Sequence, residues 1–167
     1  MDTLLESRGW HWRATDWTAA AVSGFAAGAV LMVLDLIWSA LFNAHGPWRT
    51  SHMIAPIFLG ADSMAADFRF SLGVVAIALA AHYTLGIVFG LVIAAIMAQL
   101  RLESPGRSLA TGAVLGTLLY LVNFHLLVGL FPWLVDLRGV DTLAAHLLFG
   151  MVAATLYERL KRIPSEP

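Results

Sequence analysis

The sequence contains no cysteine and few charged residues. Of its 167 residues, 13% are Asp, Glu, Lys or Arg, and Lys161 is the single lysine. The absence of cysteine excludes disulfides, thiolate metal sites, iron-sulfur clusters and covalent haem attachment through a Cys-x-x-Cys-His motif. The formal net charge of -1 leaves no basic surface for nucleic acid. Nucleic acid is therefore excluded as a partner.

Motifs of soluble enzymes are missing as well. The sequence has no P-loop, no G-x-S-x-G and no G-x-G-x-x-G. Its serines are not paired with a plausible general base. These absences favour a non-catalytic protein over an enzyme.

Long apolar runs are what the sequence has instead. Apolar residues make up 59% of the chain, and four runs are each about as long as a bilayer crossing requires. We therefore predict one membrane domain over residues 1–167, an all-α, antiparallel four-helix transmembrane bundle built from two tandem helical hairpins. The predicted spans are about 18–42, 71–99, 108–131 and 141–157, and a long outer loop covers 43–70.

The basic residues predict the orientation of the chain in the membrane. Seven Lys and Arg residues fall on the side of the chain termini and three on the other side. By the positive-inside rule, both termini lie on the cytoplasmic side of the membrane. The first group is Arg8, Arg13, Arg101, Arg107, Arg159, Lys161 and Arg162, and the second is Arg49, Arg69 and Arg138. The tryptophans form two matching interfacial belts, Trp10, Trp12 and Trp17 on the inner side and Trp38, Trp48 and Trp133 on the outer side.

Short matching segments indicate an internal repeat. Residues 28–31 (GAVL) recur as residues 112–115, and the Pro-Trp pair at 47–48 recurs at 132–133. In addition, Ala-His followed by Gly occurs at 81–86 and again at 145–150. The pattern predicts two hairpins related by an axis along the membrane normal. The alternative is chance similarity between apolar segments.

Each span also carries a pair of small residues four positions apart. Such pairs let helix backbones approach closely, and they mark the face of each helix that points inward. Counting about 100° per residue from these pairs places one polar residue per helix in the bundle interior. The pairs are Gly24 and Gly28, Gly86 and Gly90, Gly112 and Gly116, and Gly150 and Ala154, and the polar residues are Asp35, His82, Asn123 and His146.

His125 falls on the opposite side of the third span from Asn123. An interfacial histidine on this side could extend its ring to the headgroup region. It could also contact a partner subunit or a second copy of the chain. We list His125 as a candidate for that outer contact.

Four interpretations of the buried polar residues remain open. One b-type haem could be held by His82 and His146, with its edge passing Gly86 and Gly150. A metal ion could be bound by His82, His146 and Asp35. The same three residues could relay protons or bind a transported solute. Finally, Asp35 and Asn123 could be buried polar residues that only fix the packing of the bundle.

The segment from Asn123 to Gly150 resembles a group of small four-helix bacterial inner-membrane proteins. The resemblance is carried by Asn-Phe-His at 123–125, Leu-Phe-Pro-Trp at 130–133, and Ala-His with Gly150. Most members have no assigned function, and some carry a sodium:proline symporter label. This chain is far shorter than such a symporter, so the label implies no activity here. The inward histidine pair is also similar to four-helix b-type cytochromes, which implies at most one haem.

Together these patterns predict a small non-catalytic integral subunit or accessory protein of a larger membrane complex, for example a respiratory one. Such a protein would contact the lipid bilayer and other membrane subunits or a second copy of itself. One b-type haem or a metal between His82 and His146 is part of this expectation. The alternative is a proton-coupled or solute-conducting small transporter that acts as a homo-oligomer.

Overall fold

The computed structural model describes residues 15–64, 67–100 and 104–162. Within these ranges the chain is helical and contains no strand. Four of the described helices are long and apolar enough to cross a membrane, which confirms the all-α four-helix membrane bundle. In chain order the helices are α1 (Trp17–Phe42), α2 (Arg49–Ile54), α3 (Pro56–Leu59), α4 (Leu72–Leu100), α5 (Pro105–Leu121) and α6 (Val140–Leu160). The four long ones are α1, α4, α5 and α6.

Two of the long helices begin at a side-chain cap. The Asp16 carboxylate accepts a hydrogen bond from the Ala19 N–H at 2.9 Å, and α1 starts at the next residue. Ser104 caps α5 in the same way through the Arg107 N–H, and Pro105 occupies the first helical position. Proline suits that position because its missing N–H would have no partner there. As a result, α5 begins three residues before the predicted start of the third span at 108.

The third span changes its helix type near its end. The α-helix stops at Leu121, a π-helical turn follows over Val122–Leu126, and a 3-10 turn completes the span over Leu127–Gly129. A second 3-10 segment covers Pro132–Leu137. The third span, Pro105–Gly129, therefore overlaps the predicted span of 108–131, but its last part is not α-helical.

The long helices form two hairpins that meet along one face. Helix α1 packs along α4, α5 packs along α6, and the hairpins join where α1 contacts α6. Contacts of α4 with α5 and α6 are much smaller. The helices are thus arranged in the order α4, α1, α6, α5, with the outer two diverging from each other.

Small residues fill the bundle centre and large apolar side chains point outward. Ala20, Ala94 and Ala154 are completely buried, whereas Leu41 is 69% exposed. This distribution is the reverse of a water-soluble protein and is typical of helices that pack closely inside lipid. The outward side chains fit a lipid bilayer.

The segment between the first two spans folds over one end of the bundle. We call residues 43–64, which include α2 and α3, the cap segment, and we call the end that it covers the loop end. Met53 is 2% exposed, and its carbonyl accepts a hydrogen bond from the Trp133 indole N–H at 3.0 Å. The Arg49 guanidinium donates to the Asp136 carbonyl at 2.8 Å. These bonds connect the cap segment to the turn that precedes α6.

The opposite end, where α1 begins and α6 ends, is the terminal end. Here the second oxygen of the Asp16 carboxylate accepts a hydrogen bond from the Arg162 N–H at 3.0 Å. This bond joins the start of α1 to the end of α6. Several residues that carry the orientation prediction lie outside the described residues, namely Arg8, Trp10, Trp12, Arg13 and Arg101.

Candidate functional site

The glycine pairs bring the helix backbones of each hairpin into direct contact. A Cβ placed on Gly24 would lie 2.9 Å from the Gly90 Cα and would collide with the Gly86 carbonyl. A Cβ on Gly112 would likewise collide with the Gly150 carbonyl and lie 2.8 Å from the Ala154 Cβ. No side chain larger than hydrogen fits at either crossing, so these glycines are required by packing.

The same contacts define which positions of the two hairpins are equivalent. Gly24 faces Gly86 and Gly90, and Gly112 faces Gly150 and Ala154. Gly24 therefore corresponds to Gly112. The GAVL match pairs residue 28 with 112 instead, so it is displaced by one helical turn from the packing. In the register that the contacts define, Asp35 corresponds to Asn123, because each lies eleven residues after its glycine.

His82 connects the two helices of the first hairpin. Its Nε2 lies 2.8 Å from the Gly28 carbonyl oxygen. A carbonyl can only accept, so this nitrogen carries the hydrogen and donates it to the backbone of α1. The ring is half-buried and packs edge-on against Tyr83 at 5.8 Å between centroids.

His146 makes a different set of bonds in the second hairpin. Its Nδ1 donates to the Thr142 carbonyl in its own helix at 2.8 Å. Its Nε2 then accepts a hydrogen bond from the Asn123 amide at 3.3 Å, as a neutral imidazole allows. The rings of Tyr120 and Phe124 pack against it at centroid distances of 6.0 and 5.3 Å.

Asp35 connects α1 to the cap segment. The Thr50 hydroxyl donates to its carboxylate at 3.3 Å. Asp35 also interacts electrostatically with His82, and His82 with His146. The four polar residues therefore gather towards the loop end. Their hydrogen bonds do not join all four residues, however. His82 binds a backbone carbonyl, Asp35 binds Thr50, and Asn123 binds His146.

A metal ion finds no suitable set of ligands in this arrangement. Among residues 15–64, 67–100 and 104–162, no three His, Asp or Glu side chains are grouped closely enough to hold one. His82, His146 and Asp35 are the three that the sequence pattern suggested. Each of them instead has a hydrogen-bond partner within the protein.

The packing also does not favour a haem between α4 and α6. A porphyrin edge needs a small residue whose surface is open, and neither glycine offers one. A Cβ on Gly86 would lie 3.1 Å from the Gly24 carbonyl, and a Cβ on Gly150 would lie 2.9 Å from the Gly116 Cα. His82 and His146 each donate one ring N–H to a backbone carbonyl, as metal-bound histidines commonly do, but the Nε2 of His146 already accepts a hydrogen bond from Asn123.

His125 lies in the π-helical turn, and its side chain is exposed. Its ring packs edge-on against Tyr120 at 5.7 Å between centroids. The π-helical turn that contains His125 also positions Asn123 towards His146. A partner contact at His125 stays a prediction.

Three residues of the cluster were not anticipated from the sequence. Tyr120 lies four residues after Gly116, so helical spacing alone places it on the inward face. Thr142 lies one turn before His146 and contributes only its carbonyl, which leaves no side-chain signal. Thr50 belongs to the cap segment, and nothing in its local sequence points to Asp35.

Comparison with protein-family models, with curated proteins and with solved structures gave no match. The fold and the hydrogen bonds of the cluster therefore carry the interpretation. They define a membrane-spanning four-helix bundle whose inward polar side chains connect helix to helix and helix to cap segment. The resemblance to small bacterial inner-membrane proteins stays a prediction.

Proposed function

We propose that this chain is a small non-catalytic integral subunit or accessory protein of a larger membrane complex, such as a respiratory one. The observation that carries the proposal is the use of the inward polar groups. His82 binds the backbone of α1, Asn123 binds His146, and Asp35 binds Thr50 of the cap segment. These groups connect parts of the same chain to one another.

This use of polar groups differs from that of a substrate or cofactor site. A binding site directs polar atoms at the space its ligand occupies. In the described part of the chain, every buried side-chain nitrogen and oxygen atom already has a hydrogen-bond partner. Inside a membrane, such interhelical bonds average about 0.6 kcal/mol and reach about 1.7 kcal/mol. The cluster therefore supports a role in stabilising the bundle.

The outer surface supports a role in assembly. Large apolar side chains are exposed along all four long helices, and they suit contact with lipid or with the helices of other subunits. We propose that other membrane subunits, or a second copy of the chain, pack against part of this surface. His125, exposed beside the apolar Leu126, is the polar contact we assign to that interface.

We further propose that the protein lies in a bacterial inner membrane with its terminal end towards the cytoplasm. Among the described residues, the terminal end carries Arg107, Arg159, Lys161 and Arg162. The loop end carries Arg49, Arg69 and Arg138. Over the whole sequence the count of Lys and Arg is seven against three, and this excess follows the positive-inside rule.

The proposal is tested by isolating the full-length tagged chain from its native membranes in a mild detergent. Native mass spectrometry then gives the composition of what is isolated. We expect a complex of fixed stoichiometry that contains unrelated membrane chains. Isolation of the chain alone, as a monomer or as a symmetric oligomer, would contradict the subunit role.

A second candidate function is a proton-coupled or solute-conducting homo-oligomer. It is favoured by the electrostatic interaction of His82 with both Asp35 and His146, which links three titratable groups inside the bundle. The test is proton flux in vesicles that contain the wild type, Asp35→Asn, or the control Asp62→Asn in the exposed cap segment. Flux that is lost only in Asp35→Asn would favour this candidate, and no flux in any of them would exclude proton transport.

A further inference from the structure

An apolar groove lies between α4 and α5 on the surface of the bundle. It has a volume of about 300 Å³ and lies where the two outermost helices diverge near the terminal end. Its walls are almost entirely apolar. They are formed by Ile96 and Leu100 of α4 and by Ala110, Thr111, Val114 and Leu115 of α5.

Arg107 lies one helical turn before the part of α5 that lines this groove. It precedes Ala110, Thr111 and Val114 by three, four and seven positions, so all four residues share one face of α5. A helical side chain also leans towards the start of its helix, which directs the guanidinium of Arg107 to the membrane interface. The residue is exposed, and its charge is available to a ligand.

We propose that this groove binds one acyl chain of an anionic glycerophospholipid, with the lipid phosphate held by Arg107. The apolar walls match a hydrocarbon chain, and the guanidinium matches a phosphate, to which it can donate two parallel hydrogen bonds. The lipid belongs to the leaflet at the terminal end.

The apolar groove and the arginine near it favour an anionic lipid over an apolar protein partner, because the lipid supplies both a hydrocarbon chain and a phosphate. An acyl chain is narrower than a helix and can lie along the groove. A bound lipid would fill the gap between α4 and α5, which have few contacts with each other. This inference goes beyond the subunit role and does not depend on it.

The experiment measures lipid retention by native mass spectrometry. The full-length protein in detergent is mixed with equal amounts of dioleoyl phosphatidylglycerol and dioleoyl phosphatidylcholine. We expect the wild type to retain one phosphatidylglycerol in preference to phosphatidylcholine. Arg107→Gln should lower that preference about five-fold, the factor that corresponds to ~1 kcal/mol per basic residue near an anionic lipid. Arg159→Gln, the matched change at an exposed arginine of α6, should leave the preference unchanged.

Two further variants test the groove itself. Ala110→Phe and Val114→Phe each place a ring in the groove at exposed positions, and both should reduce retention of either lipid. Thermal unfolding in the same detergent identifies any variant that does not fold, and the other variant then decides. Equal effects of Arg107→Gln and Arg159→Gln, or undiminished retention in a folded phenylalanine variant, would overturn the proposal.

Discussion

The two hairpins share a sequence pattern but use their inward histidines differently. In the first hairpin, the His82 ring donates across to the Gly28 carbonyl of the facing helix. In the second, the His146 ring binds its own helix and the Asn123 amide. Equal spacing along the sequence therefore does not produce equal contacts. The local backbone determines which partner each ring reaches.

The distance between the helix backbones explains this difference. A Cβ on Gly28 would lie 3.6 Å from the His82 Nε2, so the ring occupies space beside that glycine. At the equivalent Gly116, a Cβ would collide with the His146 carbonyl and lie 3.2 Å from the Leu147 Cα. The second hairpin leaves no room for a ring at this crossing. Its histidine turns instead to Asn123, which the π-helical turn presents.

The largest expected effect comes from adding a methyl group at these equivalent glycines. Gly116→Ala should destabilise the protein by about 1–3 kcal/mol, because the new methyl group meets backbone that cannot move aside. Gly28→Ala should change stability by less than about 0.5 kcal/mol, since its methyl group meets only ordinary contacts. Unfolding of each variant in mixed micelles by increasing SDS measures both values. Equal destabilisation of the two variants would mean that the hairpins do not differ in backbone distance.

The next effect concerns the bond between Asn123 and His146. Asn123→Ala should cost about 1 kcal/mol, within the range known for interhelical hydrogen bonds in membranes. In a His146→Ala background, Asn123→Ala should cost much less, because the bond is already gone. As a control, Asn123→Ala combined with His82→Ala should be additive, since their bonds are separate. The same SDS titration measures this double-mutant cycle. Additive effects of Asn123→Ala and His146→Ala would argue against a hydrogen bond between the two side chains.

A smaller effect is expected at the cap segment. Thr50→Val keeps the shape of the side chain and removes the hydroxyl that binds Asp35. The change should cost about 0.6 kcal/mol, the average for such a bond. It should raise hydrogen exchange in α2 more than in α4. Unchanged exchange in α2 would show that Asp35 does not hold the cap segment.

The smallest effect concerns pH at the terminal end. Hydrogen bonds from the Ala19 and Arg162 N–H groups lower the pKa of Asp16 below its ordinary value of 3.8. A lowered pKa means that the ionised carboxylate stabilises the fold at neutral pH and that this stability is lost as the pH falls below about 4. Asp16→Asn should remove this part of the pH dependence. Thermal unfolding of both proteins between pH 3 and 7 gives the comparison, and identical pH profiles would rule out a contribution from Asp16.

The sequence predicted the membrane architecture because apolar length and small-residue spacing are local properties. It also predicted that Asp35, His82, Asn123 and His146 point towards the bundle interior. It did not predict the partners of these side chains. Thr50 approaches Asp35 only because the cap segment folds back, and the Gly28 carbonyl is reached only through the helix crossing. Such contacts depend on tertiary packing, which residue spacing does not encode.

The periodicity of the sequence also could not predict the change from α-helix to π-helix after Leu121. Counting 100° per residue assumes one helix type, and a π-helical turn breaks that assumption. Asn123 lies in this turn and hydrogen-bonds to His146 of the facing helix. The Arg138 guanidinium donates to the Phe124 carbonyl inside this turn, and the two residues are fourteen positions apart. No local pattern links them.

The central claim is that His82 and His146 stabilise the bundle and do not hold a redox cofactor. The most direct test is a reduced-minus-oxidised visible spectrum of the protein isolated from its native membranes in mild detergent, with metal analysis of the same sample. Any stable complex should first be separated into its subunits, so that the spectrum reports on this chain. We predict no α or Soret band and no stoichiometric metal on this chain. Sharp α and Soret bands that disappear in both His82→Ala and His146→Ala would contradict the claim.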